Sequence, residues 1–446
     1  MAKKILLIAL GSTARADCIS EAIVKSPQKP ELYSYLVSRN PSVMKKSKEV
    51  KFGKLEDFAS IKDFAKKIKP DFAVISPDYA LAIGVADALA EGNVPSFGPK
   101  KALAKLESSK SFTRNLMQKY GIEGNPEFRI FSGMDGVRDC LLDFKQFVIK
   151  PDGLTGGKGV KVFGEHLKGI DDSLDYCKEI IASGSNVIIE EKMEGEEFSL
   201  QCISDGKTVV PMPAVQDHKR AFENDTGMNT GGMGSYGCSN HLLPFLKKKD
   251  VDDAVEITKK VADALHKETY GYFKGIMYGG FMRTKDGVKL IEYNARFGDP
   301  EVMNVLPIMK TDFIEVCEAV VNGTLASLKI EFENKATVCK YAVPEGYPVS
   351  PKNGAIIDIS ALQGSKARVY LGAVEQIEGN NPFRLKMGTS RAIACVGIAD
   401  SLEEAEKISE EAIMKINGPV FHRRDIGTKE LVQKRVAHVN ELLRKK

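Results

Sequence analysis

Near residue 290 the chain reads LIEYNARFGDPE. Side chains alternate across a strand, so Glu292, Asn294 and Arg296 share one face while Ile291, Tyr293 and Ala295 take the other. The second set suits a core. The first offers a carboxylate, an amide oxygen and a guanidinium in a row. A hard divalent ion takes oxygen ligands and fills its shell with phosphates and waters. A guanidinium adds a fork for phosphate oxygens. A strand face laced by surface ion pairs would read the same way, but the FGDPE turn adds two more carboxylates, Asp299 and Glu301.

A second candidate is VIKPDGLTGGKGV, residues 148–160. It is not a Walker loop. Asp152 stands where that pattern needs Gly, and Gly159 where it needs Ser or Thr. Its glycines still permit close backbone approach and an N–H nest for an anion, with Lys158 as a point charge. An ordinary hairpin turn is the alternative. A second loop, DTGMNTGGMGSYG at 225–237, is equally glycine-dense, and turns alone hardly require two. QDHKR and VIIEEKMEGEEF lie between them. Lys110 at a helix start and Lys150 at a strand end would each pass alone for a surface charge.

The elements that must hold these groups fall into three parts. In the first hundred residues KILLIAL, LYSYLV and DFAVIS read as strands. The helices between them are TARADCISEAIVKS, LEDFASIKDFAKKIK and ALAIGVADALAEG, the second with Phe58, Ile61, Phe64, Ala65 and Ile68 at helical spacing. Such alternation predicts a doubly wound parallel sheet, with its crevice at the carboxyl ends of the strands. That rim carries Gly11 to Arg15, Arg39 to Ser42 and Ser76 to Tyr79. SSKSFTRNLMQKYGI then predicts a helix with a serine N-cap and Gly121 as stop. Hairpins with turns at Glu194-Gly195, Asp205-Gly206 and Asp286-Gly287 follow, with helices over DSLDYCKEIIASG and near 250–268. From about 332 a further α/β unit runs on, its helix opened by a capping box of Ser401 and Glu404 and stopped at Gly418.

Lys and Arg total 64 against 60 Asp and Glu, so no basic stripe marks a nucleic-acid or membrane-surface protein. None of the eight cysteines falls in a CxxC pair, so neither a zinc site nor a disulfide framework is indicated, and buried free thiols are expected. The apolar run at the start is too short for a signal segment, and no stretch approaches membrane-spanning length. A cytoplasmic protein is expected. No Ser/His/Asp or Cys/His set is apparent, and His218 is the one histidine inside a motif.

LESSKSFTRNLM, VIKPDGLTGGKGV, VIIEEKMEGEEFS, QDHKR, DTGMNTGGMG, IEYNARFGDPE and the late HRRDIG together resemble the phosphoribosylamine–glycine ligase family of the ATP-grasp superfamily. The resemblance covers nearly the whole chain, in order, and is densest over 107–301. It implies an N-terminal α/β domain (1–106), an ATP-grasp domain (107–331) with a mobile lid at about 124–193, and a C-terminal α/β domain (332–446). The implied ATP-binding residues are Lys110, Lys150, the lid loop with Gly156, Gly157, Lys158 and Gly159, the adenine hinge with Glu190, Glu191 and Met193, and Glu197 at the ribose. Glu292 and Asn294 match Mg²⁺ or Mn²⁺ ligands, and Arg296 an arginine near the transferred phosphate. Asp217, Lys219, Asn229, Gly231 and Gly232 match the walls of the glycine site. Lys150, Lys219, Asp217 and Arg296 are the implied catalytic residues. Gly11, Arg15, Asp78 and Asp299 fall to the substrates, glycine and phosphoribosylamine. A monomer without nucleic-acid or membrane partners is implied.

The rim departs from the family. Gly11 and Arg15 match, but Thr13 replaces a glycine and Ala16-Asp17 replace Glu-His. RNPS stands where Asn-Pro-Gly or Pro-Gly-Asn is usual, and SPDYAL where Gly-Pro-Glu or Gly-Pro-Asp leads into Ala-Pro-Leu. A ligase of the same fold with another amine or carboxylate, or a nucleotide-binding protein without turnover, are the rival expectations.

Overall fold

The first strand, Lys4–Ala9, is apolar throughout after its lysine and is buried on both faces, as a central parallel strand must be. It pairs in parallel with Glu31–Leu36 and with Phe72–Ile75. Glu49–Phe52 and Ser96–Phe97 close the edges of a five-stranded parallel sheet. These edges are too short or too polar to show a period in the sequence. The helix Phe58–Ile68 buries Ile61, Phe64, Ala65 and Ile68, at the expected spacing. ALAIGVADALAEG, expected as one helix, is two: Asp78–Ile83 and Val85–Glu91. Gly84 between them sits at φ 101°, a left-handed conformation that ends a helix. The structure is a computed structural model and describes residues 2–444 apart from 155, 157, 158, 378 and 380.

A small antiparallel sheet follows, ordered Phe128–Phe131, Val187–Glu191, Phe147–Pro151, Lys161–Val162. Helices Val137–Phe144 and Ile170–Ala182 cover it. Val137, Leu141, Phe147, Cys177 and Ile189 give this unit a hydrophobic cluster of its own. The chain leaves it at Lys192 to Glu194, where a hairpin turn was expected. It passes instead into a second sheet, ordered Val209–Pro211, Gly195–Ser204, Gly275–Thr284, Gly287–Asn294. Asp205-Gly206 and Asp286-Gly287 do turn hairpins there. The helix Lys248–Thr269 packs on this sheet through Ala254, Ile257, Val261 and Leu265.

One irregularity in that sheet matters for the site. Gly280 pairs with Glu292 while Phe281 pairs with Leu290, so Ile291 is an extra residue in its strand. Simple alternation put Ile291 in the core with Tyr293. The bulge leaves Ile291 and Glu292 both half-buried between buried Leu290 and Tyr293. Bulges of this kind bend a strand and re-aim side chains.

The last sheet joins Gln216–Asp217, Gly234–Gly237, Ala336–Pro344, Ile393–Ala399 and Arg368–Leu371, with Val420–Phe421 on Ala336–Pro344. It therefore draws strands from both sides of residue 332. The expected sequence of parallel sheet, lid-bearing middle and C-terminal α/β unit is the architecture observed. Among the described residues no helix is long and apolar enough to cross a membrane.

Candidate active site

Glu292 lies on the strand Gly287–Asn294, where the bulge ends. Its carboxylate accepts no hydrogen bond among the described residues, yet four cations face it. Burial opposes its ionisation, but Lys219, Lys150, Lys110 and Arg296 overcome that and hold it below the usual carboxylate range. Two residues on, Asn294 Oδ1 accepts from Arg296 Nη2 at 3.0 Å. Arg296 Nη2 also meets Glu107 Oε1 at 2.9 Å and Asp78 Oδ2 at 4.0 Å. Burial works against the guanidinium, but Glu107 and Asp78 raise its pKa further. Its Nε is buried without a partner among the described residues, a donor aimed at something the protein does not supply.

Two of these cations, Lys110 and Lys150, and a further one, Arg15, are held by main chain. Lys110 opens the helix Lys110–Lys119 behind its cap Ser109. Its Nζ donates to the Gly153 carbonyl at 2.7 Å, which ties it to the glycine loop. Lys150 Nζ donates to Glu190 Oε2 at 2.7 Å and to the bulge carbonyl of Ile291 at 3.3 Å. Arg15 Nη1 donates to the Phe297 carbonyl at 2.9 Å and its Nε to Ser76 Oγ at 3.2 Å, joining the rim of the first sheet to the FGDPE turn.

The opposite wall is built on the last sheet. Burial and Glu301 push Asp217 well above its ordinary range, against Lys219 and Arg391. Glu197 is the first cause that raises Lys219, and their charged groups lie 3.5 Å apart. Gly232, at φ 111°, lets the chain pass Asp217, because a Cβ there would sit 2.6 Å from Asp217 Oδ1. Asn229 ends the strand Thr226–Asn229 opposite Arg220. Asp299 Oδ1 accepts from Tyr341 Oη, and its Oδ2 has no hydrogen-bond partner among the described residues. Arg391 binds this wall together: its Nη1 donates to the carbonyls of Gly231, Gly232 and Asp299 at 2.8, 3.0 and 2.8 Å.

At the expected hinge the side chains turn into the protein. The Glu190 carboxylate is buried between Lys150 and the Arg114 fork, at 2.8 and 3.0 Å from Nε and Nη2. Burial opposes its ionisation, while Arg114 and Lys150 bring its pKa down to about 2. The Glu191 carboxylate is likewise taken, by Glu127 N and Lys289 Nζ at 3.0 and 2.5 Å. At this hinge main chain and the half-buried Lys192 and Met193 are left for a ligand. Gly157 and Lys158 lie outside the described residues; Gly156 is at φ 57°, and Gly159 O accepts from Tyr176 Oη at 2.7 Å.

The altered rim has an explanation in packing. Asp17 is fully buried and accepts from Leu371 N at 2.8 Å while pairing with Lys46. Asn40 donates to the carbonyls of Gly11 and Leu371, both at 2.8 Å, and caps its own helix. The altered Asp17 and the Asn40 of RNPS together fasten the first sheet to the last one. Gly11, at φ 83°, would place a Cβ 1.9 Å from the Ser38 carbonyl oxygen.

Glu107, Arg114 and Arg391 were missed as site residues. Glu107 and Arg114 carried a weak signal, since each is a charge among the apolar positions of its helix. Arg391 carried none; it follows an unmarked GTS.

The donors fit a divalent cation only in part. Among the described residues no group of three or more His, Cys, Asp or Glu could hold a metal by itself. An ionised, unbonded Glu292 beside the Asn294 amide oxygen gives two oxygen ligands, which suits an ion that keeps phosphate oxygens and waters. All eight cysteines are free, and all but Cys238 are buried. Burial pushes the Cys202 and Cys395 thiols up to about 12, so no thiolate is at hand.

Three family profiles match the chain in succession: the phosphoribosylglycinamide synthetase N domain over 3–107, its ATP-grasp (A) domain over 108–302 and its C domain over 337–429. The phosphoribosylamine–glycine ligase of Methanocaldococcus jannaschii is 48% identical over 99% of this chain and 100% of its own length. That of Methanococcus vannielii is 47% identical over the same shares. The crystal structure of the Thermotoga maritima phosphoribosylamine–glycine ligase superposes with a TM-score of 0.78 at 26% identity, covering 95% of this chain and 100% of that one. The biotin carboxylase domain of the Hydrogenobacter thermophilus 2-oxoglutarate carboxylase shares the fold, with a TM-score of 0.72 at 14% identity over 99% and 98%.

Proposed function

This chain belongs to the phosphoribosylglycinamide synthetase family, and on that premise we propose how its site carries out the reaction. It is an ATP-dependent ligase of purine biosynthesis that joins glycine to 5-phosphoribosylamine. The products are glycinamide ribonucleotide, ADP and phosphate. The observation that carries the reading is the convergence of Lys110, Lys150, Lys219 and Arg296 on an ionised, unbonded Glu292.

A carboxylate is a poor acyl donor, because oxide is a bad leaving group. The glycine carboxylate takes the γ-phosphoryl group of ATP, giving glycyl phosphate and ADP. The amine of phosphoribosylamine attacks that carbonyl, phosphate leaves with the bonding pair, and the amine proton passes to solvent or phosphate. No nucleophilic side chain is required. Lys110 and Lys150, each steadied by a backbone carbonyl, lie against the triphosphate. Arg296, whose free Nε is already charged and desolvated, meets the transferred phosphoryl oxygens, and fixed charge of this kind needs no rearrangement as the transition state forms. Lys219 balances the glycine carboxylate, and Asp217, Asn229, Gly231 and Gly232 shape its pocket. Asp299 receives the attacking amine, with Arg15, Asp78 and Gly11 on the phosphoribosyl side. The loop with Gly156, Gly157, Lys158 and Gly159 closes over the phosphates and keeps water from the acyl phosphate. Glu197 and the main chain of Glu190 to Met193 hold the nucleoside. A divalent ion, Mg²⁺ or Mn²⁺, held by Glu292 and Asn294 neutralises phosphate charge when bound.

The reading carries a cytoplasmic monomer with it, and domain limits of 1–106, 107–331 with a lid at about 124–193, and 332–446. The test is ADP release with ATP and Mg²⁺, first with glycine and then with phosphoribosylamine added. ADP and glycinamide ribonucleotide should form in equal amounts. If the complete mixture releases no more ADP than ATP alone, the reading fails. If another amine serves better, the assignment of the rim fails.

A further inference from the structure

The reaction leaves one motif without a role: HRRDIG, residues 422–427. Its central arginine, Arg423, is 1% exposed and uses its whole fork. Nε and Nη2 donate to the two oxygens of Asp425 at 2.9 and 2.7 Å. Nη1 reaches across to a segment two hundred residues earlier, donating to the Arg220 carbonyl at 3.2 Å and to Asp225 Oδ1 at 3.0 Å. Asp425 adds a further tie by accepting from Asn224 N at 3.0 Å.

The contacts to Arg220, Asn224 and Asp225 fall on one hairpin, Arg220–Phe222 with Thr226–Asn229. Among the described residues it pairs with no other strand, and Phe222 and Met228 are exposed. A two-stranded hairpin is marginal in water, so its position must come from outside. Its base is Lys219, whose carbonyl accepts from both Thr230 N at 2.7 Å and Thr230 Oγ1 at 2.8 Å. Its outer side touches the lid unit, where Arg220 Nη2 meets Glu165 Oε2 at 2.8 Å. The hairpin thus stands between the lid, the C-terminal unit and the Lys219 ammonium that faces Glu292.

We propose that Arg423 is a positioning residue for the carboxylate substrate: it braces the 220–229 hairpin and thereby sets the place of Lys219. The proposal rests on the reading that Lys219 walls the glycine site. A planar fork is needed because three separate acceptors must be met at fixed angles, which one ammonium cannot do.

Arg423→Ala should raise KM for glycine about 10²-fold, the scale of a displacement of about 1 Å at a reacting group, and leave KM for ATP within about twofold. Arg423→Lys should fall between, and it replaces the alanine variant if that one does not fold. A cycle with Lys219→Ala separates positioning from general support. In the Lys219→Ala background, loss of Arg423 should add less than about threefold. Amide exchange should quicken over 218–230 and stay unchanged over Gly287–Asn294. Additive kinetic effects, unchanged exchange at the hairpin, or quickened exchange throughout the chain would each overturn the proposal. A wild type without glycine-dependent ADP release would sink the functional reading instead, and the exchange comparison, which needs no turnover, still decides the brace.

Discussion

At the scale of single residues, the site is one carboxylate held ionised by many cations. Glu292 is half-buried and its carboxylate accepts no hydrogen bond among the described residues, so Glu292→Ala should cut turnover by about 10²- to 10³-fold or more, as loss of a preorganised charge does. Cooperative unfolding and the far-UV spectrum should survive. An unfolded variant would mean instead that the strand face is a structural ion-pair surface. Glu292, Asn294 and Arg296 were legible in the sequence because alternation is a local rule that holds across a few residues. Glu107 and Arg391 were not, since the partners that give them meaning lie far away in the chain. Arg391 meets Gly231 and Gly232 some 160 residues back, and no local period encodes that.

At the scale of elements, Arg114 shows how separate pieces are brought to one place. From its helix it grips Glu190 on the strand Val187–Glu191 and the carbonyls of Leu290 and Ile291, at 3.2 and 2.6 Å, on the strand Gly287–Asn294. The Ile291 carbonyl is shared by Arg114 and Lys150 at the bulge. Arg114→Met should therefore lower the unfolding free energy by about 3–5 kcal/mol, the usual cost of stranding a buried charge. Denaturant titration would read this. A loss under about 1 kcal/mol would mean that Lys150 alone satisfies Glu190. Strands and amphipathic helices of the first sheet were readable because each follows one period. The bulge was not, because an extra residue in a strand looks like any other apolar residue until its partner strand is known. The break at Gly84 was missed for the opposite reason: apolar residues continue on both sides of it, and only the backbone angle reveals the stop.

At the scale of the whole molecule, charges buried for the fold make its stability depend on pH. His218 lies in the core, and neither ring nitrogen has a hydrogen-bond partner among the described residues. Burial first, and then Arg423 and Arg435, push its pKa down to about 3, against Asp225 and Asp425. In the unfolded chain it would titrate near 6.5. The folded value is the lower one, so the unfolded state binds the proton first and acid favours unfolding. Stability is complete above about pH 6.5 and falls below it, by about 3 kcal/mol at pH 4 from this group. Glu190 works in the same sense over a lower window, from its ordinary 4.5 down to about 2. The two limbs can be separated. His218→Phe keeps an aromatic ring beside Tyr236, 5.9 Å away in the native protein, and gives up no hydrogen bond. Its stability at pH 7 should match the wild type, and it should lose less stability than the wild type between pH 7 and pH 5, a range in which Glu190 of the unfolded chain, at its ordinary 4.5, is still mostly ionised. Urea titrations at pH 7 and pH 5 are enough. An unchanged difference between those two pH values would show that the acid limb belongs to other groups, and that the arginine cluster around the hairpin does not oppose a charge on His218.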